Sequence, residues 1–233
     1  MGLGYRLLRA ATGLALVFQM RLEISGSEHL PETGPLLFVS NHLGLTDQLA
    51  IGAHLRHELR ILAKAEVFEW PIIGWLARRS EAVPIRRGEA DREAMRTMRD
   101  LLRGGAWVLV FPEGTYVDAD VPPGMLPVKT GAAWLAWHTG ATIVPVAITG
   151  TEVVWSPDRG WRIWHRPRVR VIFGDPYQPV WPTQVAPKVA WRIIADEMAL
   201  RIASLLPEDY RGVYAVSTPD LAGGATALPQ PTP

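Results

Sequence analysis

The residues with the clearest chemical potential lie in one short stretch, Val39-Ser40-Asn41-His42-Leu43-Gly44-Leu45-Thr46-Asp47, where an apolar run delivers an Asn-His pair and an Asp follows five residues after the His. On a continuous helix, positions five apart are separated by about 140° around the axis, so His42 and Asp47 would not face each other there. They can meet if His42 sits on a loop and Thr46 or Asp47 begins the next helix, a position that Thr and Asp favour. A carboxylate then accepts from one imidazole nitrogen, fixes the tautomer, and leaves the other nitrogen to take a proton from a hydroxyl. The chain has no cysteine, and no serine lies in a G-x-S-x-G elbow. The simplest nucleophile is therefore an alcohol on the substrate. Metal binding is a rival use of the same pair, but H-E-x-x-H is absent and His54 and His57 have no third ligand at a recognisable spacing.

A second segment, Val108-Leu109-Val110-Phe111-Pro112-Glu113-Gly114-Thr115, is an apolar strand running into a turn where backbone amides and a hydroxyl become available. Arg86-Arg87 follows Val83-Pro84-Ile85, and Lys129 precedes Thr130-Gly131. Each could supply a cation for a phosphate, or be an ordinary solvated surface charge. His29, His138 and His165 stand outside any constellation.

The elements that must position these groups alternate between short apolar runs and longer stretches of helical period. This pattern predicts an α/β domain with a mixed, largely parallel sheet flanked by helices. Strands are expected near 21–25, 35–40, 60–63, 81–85, 106–111, 142–148 and 168–173. Helices are expected over 89–103, with Met95, Met98 and Leu102 on one stripe, and over 186–205, with Trp191, Ile194, Met198, Ile202 and Leu205 on another. The segment 66–79 carries Trp70 and Trp75 around Pro71 and Gly74 and is more apolar than one amphipathic face requires. Core packing, an acyl groove or contact with a bilayer are its three readings.

Composition narrows the class. The 233 residues fit one domain, and 24 basic against 23 acidic residues leave a formal charge of +1, which argues against a nucleic-acid partner. The absence of cysteine removes disulfides, cysteine zinc sites and thiol nucleophiles. Residues 1–20 carry Arg6 and Arg9 ahead of an apolar stretch too short to span a bilayer comfortably. They are expected to form an interfacial helix on a membrane, the alternative being a helix packed on the core. Residues 21–214 form the domain, and 215–233, rich in Ala, Gly, Pro and Thr, are expected to be a disordered tail.

Taken together, the blocks resemble the glycerolipid acyltransferases typified by 1-acylglycerol-3-phosphate O-acyltransferase. The N-H-x4-D motif is matched by Asn41, His42 and Asp47. The Ile-Pro-x-x-Arg block is similar to Val83-Pro84-Ile85-Arg86-Arg87, with Arg87 the better aligned. The F-P-E-G-T block is matched by Phe111 to Thr115, and a closing Val-Pro-Val by Val144-Pro145-Val146. The resemblance implies transfer of a fatty acyl group from acyl-CoA or acyl carrier protein to the hydroxyl of a lysophospholipid, on the cytoplasmic face of a membrane, without a metal or other cofactor. It makes His42 the general base and Asp47 its orienting partner, and it implies that Asn41, Arg87, Glu113, Gly114, Thr115 and Lys129 bind substrate. Two positions depart from the pattern: Tyr116 stands where many members have Arg, and Gly44 where Ser is frequent. The first departure keeps another lysolipid, a glycolipid or an aminoacyl lipid open as acceptor. Other readings of the same residues are a non-catalytic acyl-chain carrier and a thioesterase that uses water as acceptor.

Overall fold

Leu36–Ser40 reads Leu-Leu-Phe-Val-Ser with no polar alternation, and all five residues are buried. A strand with this pattern must be covered on both faces, and in the computed structural model it lies inside a seven-stranded sheet. Residues 20–86, 91–115, 123–156, 160–161 and 166–215 are described. In chain order the elements are β1 (Arg21–Ser25), β2 (Leu36–Ser40), α1 (Asp47–His54), β3 (Leu59–Lys64), a 3-10 turn (Ala65–Glu69), α2 (Pro71–Arg79) and β4 (Val83–Ile85). Then follow α3 (Arg92–Arg103), β5 (Trp107–Val110), α4 (Gly131–Thr139), β6 (Thr142–Thr149), the short pair β7 (Trp155–Ser156) and β8 (Gly160–Trp161), β9 (Arg168–Phe173) and α5 (Pro187–Leu205).

The sheet order is β1-β9-β6-β2-β5-β3-β4. All neighbours pair parallel except β6 with β9, so the expected mixed, largely parallel sheet is present. At the centre, Leu36 is in register with Trp107 on one side and Thr142 on the other. Side chains of β2 alternate between two cores. Leu37 and Val39 pack with Met98 and Leu102 of α3, Ala132 and Leu135 of α4, and Ile194, Met198 and Ile202 of α5. Leu36 and Phe38 pack on the other face with Ala50 and Ile51 of α1 and with Val169 and Val171 of β9. Both expected helical stripes are therefore core faces, with Met95, Trp191 and Leu205 at their partly buried margins.

Two boundaries differ from expectation for local reasons. Asp91 caps α3, its carboxylate accepting the Ala94 N–H at 3.0 Å, so the helix proper begins at Arg92. Residues 81 and 82 form the turn that closes α2 rather than the start of β4: Glu81 takes a left-handed φ of 52°, and the Ala82 N–H returns to the Ala77 carbonyl. The helix expected over residues 1–20 and the tail from 215 lie almost wholly outside the described residues. Among the described residues no helix is long and apolar enough to cross a membrane.

Candidate active site

Because β2, β3, β4 and β5 run parallel, the segments that leave them emerge at one end of the sheet. Open α/β sheets commonly bind ligands there. Asn41 and His42 leave β2, Phe111 to Thr115 leave β5, Ala65 follows β3 and Arg86 follows β4.

Asn41 is 1% exposed. Its Nδ2 donates to the Ile148 carbonyl and its Oδ1 accepts the Ile148 N–H, each at 2.9 Å. Its amide thus clamps the end of β2 to β6. The chain turns at His42, and α1 begins at Asp47 behind Thr46, the arrangement that the five-residue spacing demanded. Asp47 Oδ2 lies 2.8 Å from His42 Nδ1 and also accepts the N–H groups of Leu43 at 2.7 Å and Gly44 at 2.9 Å. Three donors on one oxygen fix the loop around the carboxylate. Asp47 is fully buried and its Oδ1 has no hydrogen-bond partner among the described residues, so positive charge on the imidazole is attracted with little screening. The Phe111 ring stacks on the His42 ring, with centroids 4.0 Å apart and planes 14° from parallel. Asp47 at one edge and Phe111 on one face leave the imidazole a single orientation. With Nδ1 facing the carboxylate, Nε2 is the ring nitrogen left available for proton exchange.

Glu113 reaches the same loop from the far side of the sequence. Oε1 accepts the His42 N–H at 3.0 Å and Oε2 accepts the Leu126 N–H at 2.8 Å. The side chain is almost wholly buried. Burial raises its pKa to about 7, the two amide bonds pulling against that rise and the Asp47 carboxylate adding to it. Gly114 has a φ of 72°, and a Cβ there would come within 2.8 Å of Lys129 Nζ. The turn is therefore left-handed, and the Lys129 side chain lies over it. The backbone helps: the Lys129 N–H donates to the Pro112 carbonyl at 2.8 Å. Thr115 is exposed at the end of the turn. Position 44, by contrast, has room, since a Cβ there would meet only the Thr151 carbonyl at 3.8 Å.

A cleft of about 180 Å³ opens beside His42, with Leu45, Ile61, Val67, Trp70 and Phe111 as its apolar walls. The 66–79 segment, whose use the sequence left open, thus contributes Val67 and Trp70 to it. A separate, larger hollow of about 620 Å³ is bordered by Ala65, Pro84, Arg86, Asp91 and Arg92. It does not include His42, so the smaller cleft is where its chemistry would take place. Arg86 is exposed at this hollow, while its backbone N–H donates to the Asp91 carboxylate at 3.1 Å. Arg87 and Tyr116 lie outside the described residues. Of the expected site residues, then, His42, Asp47 and Glu113 share one hydrogen-bond network, Asn41 braces it from behind, and Gly114 and Lys129 are in contact beside it. Among the described residues no cluster of His, Asp or Glu is arranged to hold a metal. The sequence reading missed the ring contact of Phe111 and the wall formed by Leu45, Ile61 and Val67. The only available signal was the apolar character of these residues, which core residues share.

The geometry agrees with comparisons to known proteins. The chloroplastic 1-acyl-sn-glycerol-3-phosphate acyltransferase of Arabidopsis thaliana is 32% identical over 159 residues, 67% of this chain and 43% of that protein. The 1-acyl-sn-glycerol-3-phosphate acyltransferase of Bacillus subtilis is 27% identical over 169 residues, covering 71% of this chain and 79% of that one. A lyso-ornithine lipid O-acyltransferase of Pseudomonas aeruginosa is 34% identical over 139 residues, 58% of this chain and 49% of that protein. The chain thus spans less than half the length of the plant and Pseudomonas relatives. The crystal structure of the 1-acyl-sn-glycerophosphate acyltransferase PlsC from Thermotoga maritima superposes with a TM-score of 0.65 over 86% of this chain and 77% of that one, at 22% identity, which establishes the shared fold. The Acyltransferase family model matches residues 21–149, from β1 to the end of β6 and so through every site residue described above; the chain belongs to the Acyltransferase family.

Proposed function

We propose that this protein transfers a fatty acyl group from an acyl thioester, either acyl-CoA or acyl carrier protein, to the hydroxyl of a lysophospholipid, with 1-acylglycerol-3-phosphate giving phosphatidic acid as the foremost case. The observation that carries this reading is the His42–Asp47 pair, 2.8 Å apart, at the wall of an apolar cleft. As the acceptor oxygen attacks the thioester carbonyl, its proton passes to His42 Nε2 and the imidazolium is stabilised by Asp47. The tetrahedral intermediate then expels the thiolate by breaking the C–S bond, and the thiolate takes the proton back from His42. The products are an ester and a free thiol, and the imidazole is restored. No metal is needed for this sequence, because the thioester is already activated and the thiolate is a good leaving group. The acceptor phosphate would be met by Lys129 over the Gly114 turn, with Arg86 or Arg87 beyond β4.

We place the protein at the cytoplasmic surface of a membrane as a peripheral enzyme, where both its acceptor and its product reside. Trp70 and Trp75, 41% and 54% exposed on neighbouring turns, suit an interfacial position. A second acceptor class, an aminoacyl lysolipid, is favoured by Tyr116 in place of the expected Arg and by the similarity to the Pseudomonas lyso-ornithine lipid enzyme.

A panel of lysophosphatidic acid, other lysophospholipids and lyso-ornithine lipid, each incubated with a labelled acyl thioester and read by mass spectrometry, tests the reading. Formation of a diacyl product supports it and identifies the acceptor. A bound thioester with no product would point to a carrier. Free fatty acid whose release is indifferent to added lysolipid would point to a thioesterase.

A further inference from the structure

Val128, the residue before Lys129, has both of its main-chain groups held by side chains from α5 and the segment after it. Its N–H donates to the Tyr214 hydroxyl at 3.1 Å, and its carbonyl accepts from Arg192 Nη1 at 2.8 Å. Residues 123–129 form neither helix nor strand, while Met125 and Val128 are buried. Without a ladder of their own, the polar main-chain groups of such a segment must be satisfied from elsewhere. Two 3-10 turns beyond α5, Glu208–Tyr210 and Gly212–Tyr214, do this. The Met125 N–H donates to the Tyr210 carbonyl and the Met125 carbonyl accepts the Val213 N–H, each at 3.1 Å. Gly212 has a left-handed φ of 52°, and a Cβ there would collide with the Met125 carbonyl, so the two segments meet backbone to backbone.

This strap is anchored in its turn. The Tyr210 hydroxyl donates to Glu152 Oε1 at 2.8 Å, and Arg192 Nη2 lies 2.6 Å from Asp196 Oδ1. Arg192, Tyr210 and Tyr214 all lie beyond residues 21–149, the part that the family model matches. Lys129 lies within it, with its N–H tied to the Pro112 carbonyl and its ammonium beside Gly114. A lysine ammonium is a point charge on a flexible stem with no fixed fork. Its aim therefore depends on where the backbone sets the stem, and Tyr214 and Arg192 hold the peptide groups on the side of Lys129 that Pro112 does not.

We propose that Tyr214 and Arg192 are positioning residues for the phosphate of the acceptor: they fix Val128, and through it set Lys129 over the Gly114 turn, so that the segment after α5 governs how tightly a phosphate-bearing lysolipid binds. This rests on the acyl-transfer reading and deepens it by adding a determinant of acceptor binding. The same strap also touches the machinery of the base, because the Leu126 N–H donates to Glu113 Oε2 and Glu113 braces the His42 loop. The two routes differ in what they change. Misplacing Lys129 weakens the acceptor complex, whereas loosening Glu113 disturbs the imidazole and slows turnover.

The test is steady-state kinetics of the full chain with lysophosphatidic acid as acceptor and palmitoyl-CoA as donor, or palmitoyl-carrier protein where the parent uses that thioester. Tyr214→Phe keeps the ring and removes the oxygen that accepts the Val128 N–H. It is expected to raise the acceptor KM about fivefold, the scale of one lost hydrogen bond, with kcat and the donor KM within about twofold of the parent. Arg192→Gln is expected to act in the same direction. In a Lys129→Ala background Tyr214→Phe is expected to add less than about twofold, since both changes act through one ammonium. A parental acceptor KM in the folded variants overturns the proposal, as does an undiminished effect of Tyr214→Phe without Lys129. A fall in kcat at constant acceptor KM also overturns it and assigns the strap to Glu113 and the His42 loop. Should Tyr214→Phe fail to fold by circular dichroism, Arg192→Gln decides by the same criteria. Each of these failures leaves acyl transfer intact. A parent that acylates other lysolipids but not lysophosphatidic acid overturns this proposal alone, and a parent that acylates no lysolipid overturns the acyl-transfer reading with it.

Discussion

Glu113 holds His42 by its backbone and not by its ring: Oε1 accepts the His42 N–H at 3.0 Å across 71 residues of sequence, while Oε2 ties down Leu126. The loop that aims the imidazole is therefore fixed from two sides, by Asp47 within α1 and by Glu113 beyond β5. Such bracing has a measurable signature in pH. The folded carboxyl binds its proton near pH 7 against an ordinary 4.5. Between those values the folded state holds more protons than the unfolded, so the stability contributed is fully present below 4.5 and is lost as pH rises through 7. The unfolding free energy of the parent relative to Glu113→Gln should fall by on the order of 3 kcal/mol from pH 4.5 to pH 8. Chemical denaturation at several pH values measures it, and a flat difference would show that Glu113 stays ionised throughout.

The dyad makes a kinetic prediction. Replacing His42 by Ala removes the proton acceptor, and Asp47→Asn frees the imidazole to adopt the wrong tautomer. Each should lower kcat by roughly 10²–10⁴ with a much smaller change in KM. Initial rates of diacyl product formation, with circular dichroism to establish folding, give the answer. A folded His42→Ala protein with near-parental turnover would eliminate base catalysis by this residue.

Asn41 distinguishes bracing from binding. Both ends of its amide are engaged by Ile148, so truncation to Ala leaves a buried N–H and a buried carbonyl without partners. At about 1–3 kcal/mol for each, Asn41→Ala should lower the melting temperature by several degrees and reduce kcat through the displaced His42 loop. A variant with parental thermal stability and a raised acceptor KM would instead place the Asn41 amide on the substrate.

How far the sequence foretold this site depends on the range of each interaction. His42 and Asp47 were legible because they are five residues apart, a spacing at which a loop followed by a helix start lets them meet. The central strands were legible because Leu36–Ser40 and Trp107–Val110 have no polar residue within a buried run except the terminal Ser40. The Glu113 contact with the His42 backbone and the Asn41 clamp on Ile148 span 71 and 107 residues, and no local pattern signals either. Helix α4 was missed for another reason. Gly131–Thr139 reads GAAWLAWHT, apolar nearly all round because it lies against both α3 and α5. It therefore lacks the polar face on which a helical period is read.

Two helical glycines offer the last prediction, because they differ only in what a methyl group would meet. At Gly52 of α1 the nearest atom is Leu59 Cδ2 at 3.8 Å, an ordinary contact. Gly52→Ala should stabilise the protein by up to about 1 kcal/mol through helix propensity, with no change in kinetics. At Gly74 of α2 a Cβ would collide with the Phe68 carbonyl, which is also the acceptor for Arg78 Nη1 at 2.6 Å. Backbone cannot yield as a flexible side-chain tip can, so Gly74→Ala must push α2 off the 3-10 turn that carries Val67 into the cleft and leads to Trp70. The expected outcome is a several-fold rise in KM for the acyl donor, with kcat falling less because His42 and Asp47 are anchored elsewhere. Steady-state kinetics of both variants with one thioester decides it. Parental KM in a folded Gly74→Ala protein would mean either that the turn and α2 can separate without opening the cleft or that Val67 and Trp70 do not contact the acyl donor.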